Sequence, residues 1–365
     1  MKKIRFCTFY LPCSNVELAK DVGQIPFTLT RYYNVEASIA CYNLNRNGIN
    51  SEVLNHVEFK KVQKILKNDY LSAIVFIMKN ARKIDWLNLY HGGRFVYYIS
   101  KLYKLVNPSG RVYLKLDMDY RLPKLYDESK KERDIFTKVS RVVDYISVET
   151  EELRVRIQKY SEKKINIISN GFYFNNSILK VKKEKIFLTV GRLGTEQKAT
   201  DVLLEAFCIS ANYHDFNLEL IGPIQSEFKP YLKSFLERNE NLKDRIIIKG
   251  CINEREKIIL EYANAKVFVL PSRWEGFPLV GPEAMKLGCR IIVSDAVPPA
   301  NIFTANGKYG SVFPVDNVEA LASCFIREAN EINKDETKAI MEYADITFQW
   351  KNNCKGLLEA MKEIR

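Results

Sequence analysis

"WEGFPLVGPEAM", residues 274–285, holds two carboxylates, Glu275 and Glu283, with seven residues between them, among which are Gly276, Pro278, Gly281 and Pro282. Just before it, "KVFVLPSR" (266–273) is an apolar run of strand length that stops at a Pro-Ser turn. After it, "AMKLG" continues a helix that Pro282 is suited to open. Strand, tight loop and helix form one β–loop–α unit. In open parallel sheets, ligands gather at the carboxyl ends of the strands, where this loop lies. Ionised carboxylates only accept hydrogen bonds, which suits them to binding hydroxyls. Gly276, Phe277 and Pro278 make a tight loop, and the N–H groups of Gly276 and Phe277 can point into the same site. An acidic residue in a first helical turn is also ordinary complement to the helix dipole. Glu283 therefore gains its meaning from its partnership with Glu275.

Outward from this stretch, "KIFLTVGRLGTEQKATDVLLEAF" (185–207) repeats the pattern. A strand ends at Gly191-Arg192, a polar loop follows, and Lys198 stands before a helix. Arg supplies a planar fork, Lys a point charge, and a helix N-terminus free N–H groups, a set that can hold a diphosphate without a metal. Short apolar runs alternate with helix-length segments along the whole chain. "KIRFCTFYL", "LSAIVFIM", "RVYLKLDM" and "VVDYISVE" read as strands in the first half, and "NLELIG", "RIIIKG" and "CRIIVSD" in the second. Residues 198–211 and 227–240 have helical length and spacing. Such alternation predicts parallel sheets with helices on both faces. A chain of 365 residues exceeds one ordinary core. The alternation pauses at "ISNGFYFNNSILKVKKEK" (168–185), so the expected domains are 1–178, 179–345, and a C-terminal helix in 346–365 crossing back to the first.

The net charge of +12 suits an anionic partner, or reflects a composition rich in lysine, isoleucine and asparagine. No nucleic-acid module or aromatic–basic interleaving is present, which argues against nucleic acid. "EFKKVQKILKNDY" (58–70) reads either as a helix lying on anionic lipid or as a solvated face. No apolar run approaches the ~18 residues of a membrane span. "MKKIRFCTFYLPC" reads as a first strand rather than a signal peptide, so a cytoplasmic protein is expected. Eight scattered cysteines without a C-x-x-C pair read as reduced thiols, and three distant histidines do not make a metal site. "DMD" (117–119) has the form of a metal-holding D-x-D, but Arg192 and Lys198 already supply cations, so no metal is expected. "LYHGGR" (89–94) makes His91 a first-half candidate, catalytic or structural.

"VGRLGTEQKATDVLLEAF" (190–207) followed by "LPSRWEGFPLVGPEAMKLGCRIIVSD" (270–295) resembles the donor-binding half of the family 4 retaining glycosyltransferases. "NLELIGP", "RIIIKGCI" and "FQW" extend the resemblance. It implies the α/β GT-B fold, two Rossmann-like domains facing across a cleft. It implies that Arg192 and Lys198, after Gly191, grip the donor diphosphate and steady the leaving group. Glu275 touches the donor sugar, Glu283 binds the ribose diol, and the backbone of Gly276, Phe277, Pro278, Leu279 and Val280 lies beneath sugar and phosphate. Gly250 and Cys251 flank the base, and Gly23 in "AKDVGQIPFTL" lets the chain approach the diphosphate. Three residues depart from the family pattern. Asp117 stands where a histidine often reaches the sugar and is expected to replace it as a catalytic residue, Cys289 stands where a proline is common, and Thr200 where a glycine is usual. The implied activity is transfer of a sugar, with retention and without metal, from a nucleoside-diphosphate sugar to a glycan or lipid-linked glycan. It belongs in cell-surface polysaccharide or glycoconjugate synthesis, in the cytoplasm or peripherally on the inner membrane face, with no cofactor besides the donor. The alternative is a nucleotide-sugar epimerase on the same framework.

Overall fold

The computed structural model describes residues 3–43, 55–119, 121–172, 181–331 and 336–364. The chain separates into two compact units, Met1–Tyr173 with Phe348–Arg365, and Phe174–Thr347. The boundary expected at 178/179 lies outside the described residues.

The first unit is built on seven strands, β1 (Arg5–Phe9), β2 (Glu36–Cys41), β3 (Glu58–Lys61), β4 (Trp86–Tyr90), β5 (Arg111–Lys115), β6 (Tyr145–Val148) and β7 (Ile165–Ile167). They lie parallel in the order β3-β2-β1-β4-β5-β6-β7. β1 is central, with Phe6 beside Ala37 on one side and Trp86 on the other. Side chains alternate between faces, and both faces are covered, as parallel sheets require. Cys7, Leu87 and Val112 face a core closed by helices Asp69–Asn80, Arg94–Val106 and Lys130–Val142. Phe6, Trp86, Tyr113 and Tyr145 face the opposite layer, which helices Asp21–Tyr33 and Lys355–Glu363 supply through Ile25, Leu29, Leu357 and Met361.

Two local expectations fail here. "LSAIVFIM" is helical, within Asp69–Asn80, because Asn68 caps it by accepting the Leu71 N–H at 3.1 Å and Ser72, Ala73, Phe76 and Ile77 share its buried face. A short apolar run cannot by itself separate helix from strand. "EFKKVQKILKNDY" is not a helix: it begins as edge strand β3 and then turns tightly at Leu66-Lys67, both with positive φ (47° and 53°).

The second unit has β8 (Glu184–Val190), β9 (Asn217–Ile221), β10 (Ile246–Gly250), β11 (Ala265–Leu270), β12 (Arg290–Ser294) and β13 (Gly310–Phe313), parallel in the order β10-β9-β8-β11-β12-β13. β8 pairs with both β9 and β11, which makes the loops after these strands neighbours at one edge. The approach is closest at Gly222, where φ is 140° and a Cβ would lie 1.7 Å from the Gly191 carbonyl oxygen. Only glycine fits there.

Candidate functional site

In the second unit the loop after β8 meets the loop after β11. Lys198 ion-pairs with Glu275 Oε1, and Ser272 Oγ donates to the same oxygen at 2.8 Å. Gln197 links the two loops. Its Nε2 donates to Glu275 Oε2 (3.3 Å) and to the Trp274 carbonyl (3.0 Å), while its Oε1 accepts from Arg192 Nη2 at 2.9 Å. Arg192 is exposed, whereas Glu275 is buried. The Lys198 stem passes beside Gly191, its Cε 3.4 Å from where a Cβ would stand, an ordinary contact distance. Arg273 braces the assembly. Its N–H donates to the Gln197 carbonyl (2.8 Å), and its guanidinium reaches the Glu196 carbonyl, Asp201 and Asp316 at 2.6–2.8 Å.

The unusual Thr200 has a function in this loop: its buried hydroxyl accepts the Gly194 N–H at 2.8 Å. The residue forced into the left-handed region is its neighbour Ala199, with φ 46°. Cys289, in the usual proline position, is buried and its thiol donates to the Tyr262 and Ala265 carbonyls.

Glu283 lies in the first turn of the helix Val280–Lys286, which begins two residues before Pro282. Its carboxylate is held at 2.5 Å by Arg255, the first residue of the helix that follows the Gly250-Cys251 turn. Gly250 takes φ 71° and Cys251 is exposed. Tyr262, fully buried nearby, has its phenol pushed up by burial and then by the Glu283 charge. Gly276 is half-buried. Phe277 anchors the loop against Phe303, rings 5.4 Å apart, and Gly281 lets the backbone pass that ring, since a Cβ would lie 2.4 Å from it. The Pro278 and Leu279 carbonyls accept the N–H groups of Gly281 and Glu283. The structure thus assembles Arg192, Lys198 and Glu275 around Gln197, and pairs Glu283 with Arg255. Gln197, Arg255 and Arg273 escaped the sequence reading, because polar loop residues carry no periodicity.

The first unit holds the other candidates. Gly23 lies inside the helix Asp21–Tyr33, where a Cβ would be 2.2 Å from the Leu18 carbonyl oxygen, so its bareness serves local packing. Asp117 is exposed after β5. It lines a cavity of about 380 Å³ with His91, Gly92, Gly93 and Met118. His91 is exposed and takes φ 64° after β4. Asp119 is engaged by the Arg121 backbone N–H (2.9 Å) and guanidinium. Beneath this rim is a cluster the sequence reading missed. Lys115 is wholly buried, ion-paired with Glu149, 4.0 Å from Asp21 and donating to the Ile168 carbonyl at 3.2 Å. Burial pushes the Asp21 carboxyl up to about 6 and that of Glu149 up to about 8, against the opposing pull of Lys115. Lysine within the apolar run "VYLKL" was the available signal.

Residues 174–344 match the family described as "Glycosyl transferases group 1". An "Uncharacterized glycosyltransferase" of Haemophilus influenzae is 28% identical over 164 residues, 43% of each chain. A "UDP-Gal:alpha-D-GlcNAc-diphosphoundecaprenol alpha-1,3-galactosyltransferase" of Escherichia coli is 26% identical over 198 residues, 50% of each. The chain spans about half the length of these relatives. Among solved structures, the apo form of the lipopolysaccharide outer core galactosyltransferase WaaB superimposes with a TM-score of 0.75 at 16% identity, over 99% of both chains. Anabaena Alr3699/HepE in complex with UDP does so with a TM-score of 0.73 at 14% identity, over 99% of this chain and 100% of that one. Likeness at this identity fixes the fold, the expected α/β GT-B class with two Rossmann-like units. The family match and the Arg192–Lys198–Glu275 assembly fall on the same segment, so residues 174–344 of this chain are similar to the glycosyl transferases group 1.

Proposed function

We propose that this protein is a retaining glycosyltransferase that moves a hexose from a UDP-sugar to a glycan acceptor, in polysaccharide or glycoconjugate synthesis. The observation that carries this reading is the Lys198–Glu275 pair, cross-linked through Gln197 to Arg192. One end of that assembly is cationic and suits a diphosphate, and the other is a carboxylate with acceptor capacity to spare for a sugar hydroxyl. The UDP base and the hexose draw support from the relatives' names.

Departure of UDP builds negative charge on the diphosphate, which Arg192 and Lys198 stabilise in place. Glu275, fixed by Ser272, Gln197 and Lys198, orients the transferred sugar. Glu283, steadied by Arg255, takes the ribose diol. The phosphate oxygen that leaves the sugar accepts the acceptor's proton on the same face, which retains configuration. Asp117 and His91, on the 380 Å³ cavity of the first unit, contribute to acceptor binding there.

The test is UDP release from a panel of UDP-hexoses, with and without glycan acceptors and in excess EDTA. Acceptor-stimulated, EDTA-resistant release is expected. Interconversion of two UDP-sugars without UDP release would instead establish the epimerase. EDTA-abolished activity restored by Mn²⁺ would reinstate Asp117 and Asp119 as metal ligands.

A further inference from the structure

The charge on the walls of the first-unit cavity runs against that of the chain. The protein carries +12, yet the ionisable groups lining this space of about 380 Å³ include three acids, Asp117, Asp119 and Glu132, against one arginine, Arg121, and His91. The Arg121 guanidinium is committed to Asp119. Arg133, on the helix that carries Glu132, donates to the Tyr126 carbonyl at 3.1 Å, and Lys115 beneath the rim is paired with Glu149. Arg94 is exposed at the start of its helix and does not line the cavity. Two carboxylates remain, Asp117 and Glu132. Among the described residues neither side chain takes part in a hydrogen bond or ion pair.

Glu132 has been released from the task its position suggests. Ser129-x-x-Glu132 has the form of a capping box, in which the glutamate reaches back to the Ser129 N–H. Here that N–H donates to the Leu125 carbonyl at 2.8 Å, and Ser129 Oγ caps the helix by accepting the Glu132 N–H at 3.4 Å. Two free acids alone would be a solvated rim. A second feature of the cavity is independent of them. Tyr126 is 3% exposed and lines the same space, and its hydroxyl has no hydrogen-bond partner among the described residues. Buried hydroxyls are ordinarily paired. Gly92 leaves this one uncovered, since a Cβ there would lie 2.9 Å from the Tyr126 oxygen. Burial pushes the phenol up and the Glu132 charge pushes it further, so the hydroxyl keeps its proton and can donate. Met118, Leu122 and Leu125 add apolar surface.

A ligand that satisfies these walls brings a positive charge, an oxygen acceptor and an apolar face. A phosphate or a uronate would be repelled, and a neutral sugar would leave two partly desolvated carboxylates without a counter-charge. A sugar residue with a protonated amine supplies all three: an ammonium with three donors, a ring of hydroxyls, and a C–H face for the leucines. We propose that this cavity takes an acceptor glycan through a residue bearing a free amine, with Asp117 and Glu132 holding the ammonium and the Tyr126 hydroxyl donating to a sugar oxygen. Calling the ligand an acceptor rests on the transfer reading, whereas its chemistry rests on the cavity alone.

The experiment is calorimetric titration of the full chain, without donor, with three disaccharides that differ only at carbon 2: chitobiose (amine), cellobiose (hydroxyl) and N,N′-diacetylchitobiose (acetamide). Chitobiose should bind about tenfold tighter than the other two, the scale of a hydrogen bond to a charged group, and should weaken with added salt. Asp117→Asn and Glu132→Gln should each reduce that preference with unchanged melting temperature, and the double variant should abolish it. Tyr126→Phe should weaken all three sugars alike. Four results would overturn the proposal: no binding of chitobiose at millimolar concentration, equal affinity for the three sugars, undiminished preference in the double variant, or tighter binding of glucuronic acid than of glucosamine. UDP release from UDP-hexoses in the same preparation tests the transfer reading separately. Amine-selective binding without stimulated release would uphold the site and remove its role as an acceptor site.

Discussion

Glu275 and Glu283 differ in what holds them, and so in what their loss should do. Glu275 is fixed by Lys198, Ser272 and Gln197, in the assembly proposed above to meet the scissile end of the donor. Glu283 is held by Arg255 and the start of its own helix, with the Tyr262 phenol nearby. Glu283→Gln should weaken free UDP and intact donor alike, because both carry the ribose, by the ~1–3 kcal/mol of a lost hydroxyl partner. Glu275→Gln should leave UDP affinity nearly unchanged while cutting turnover and blurring discrimination between sugars that differ at one hydroxyl. Calorimetry with UDP separates the two, and equal weakening in both variants would reverse the assignment. Lys198→Ala should lower kcat by about a hundredfold or more, the scale of a lost transition-state donor. It also leaves Glu275 buried without its cation, so a melting curve must accompany the rate. Lys198→Ala with normal turnover would remove Lys198 from the chemistry.

At the scale of elements, the β–loop–α units of the second half were legible because the strands are largely apolar runs, and those of β8, β9, β10 and β11 close at a Gly or Pro. β8, β9, β10, β11 and β12 all lie where those runs fall. Residues 69–80 were misread because six apolar residues in a row, Ala73 to Met78, hide their period, and the deciding signal was the single cap at Asn68. β2 (Glu36–Cys41), with its alanine, serine and cysteine, has too little apolar contrast to stand out. The backbone also fixes where substitution is costly. Gly222→Ala should destabilise by at least ~2 kcal/mol, because the added methyl collides with the Gly191 carbonyl at a φ closed to alanine. Ala199→Gly removes a left-handed alanine and should gain up to ~1 kcal/mol. Denaturant melts of the two variants should move in opposite directions.

Across the whole molecule, charge shows what a sequence conceals. The net +12 was readable, but the acidic lining of the first-unit cavity was not, nor was the burial of Lys115 between Glu149 and Asp21. Pairing across strands far apart in sequence leaves no local signature. That cluster should set the pH response of the first unit. Both carboxyls titrate higher in the folded chain than in the unfolded one, so the native state binds protons more tightly. Their stabilising contribution is complete at low pH and is lost as pH rises, through about 6 for Asp21 and about 8 for Glu149. Wild-type melting temperature should therefore fall from pH 6 to pH 9 more steeply than that of Glu149→Gln, and parallel curves would contradict the coupling. The return of residues 348–364 to the first unit has a consequence for synthesis. Trp350, Cys354, Leu357 and Met361 complete a core begun by Phe6, Ile25 and Trp86. On the ribosome, the sheet made first must wait with one face covered only in part, by the helix Asp21–Tyr33, until the entire second unit has emerged. The second unit, continuous from Phe174 to Thr347, can close first. A nascent chain stalled after residue 347 should resist protease across its second half and be cut in its first.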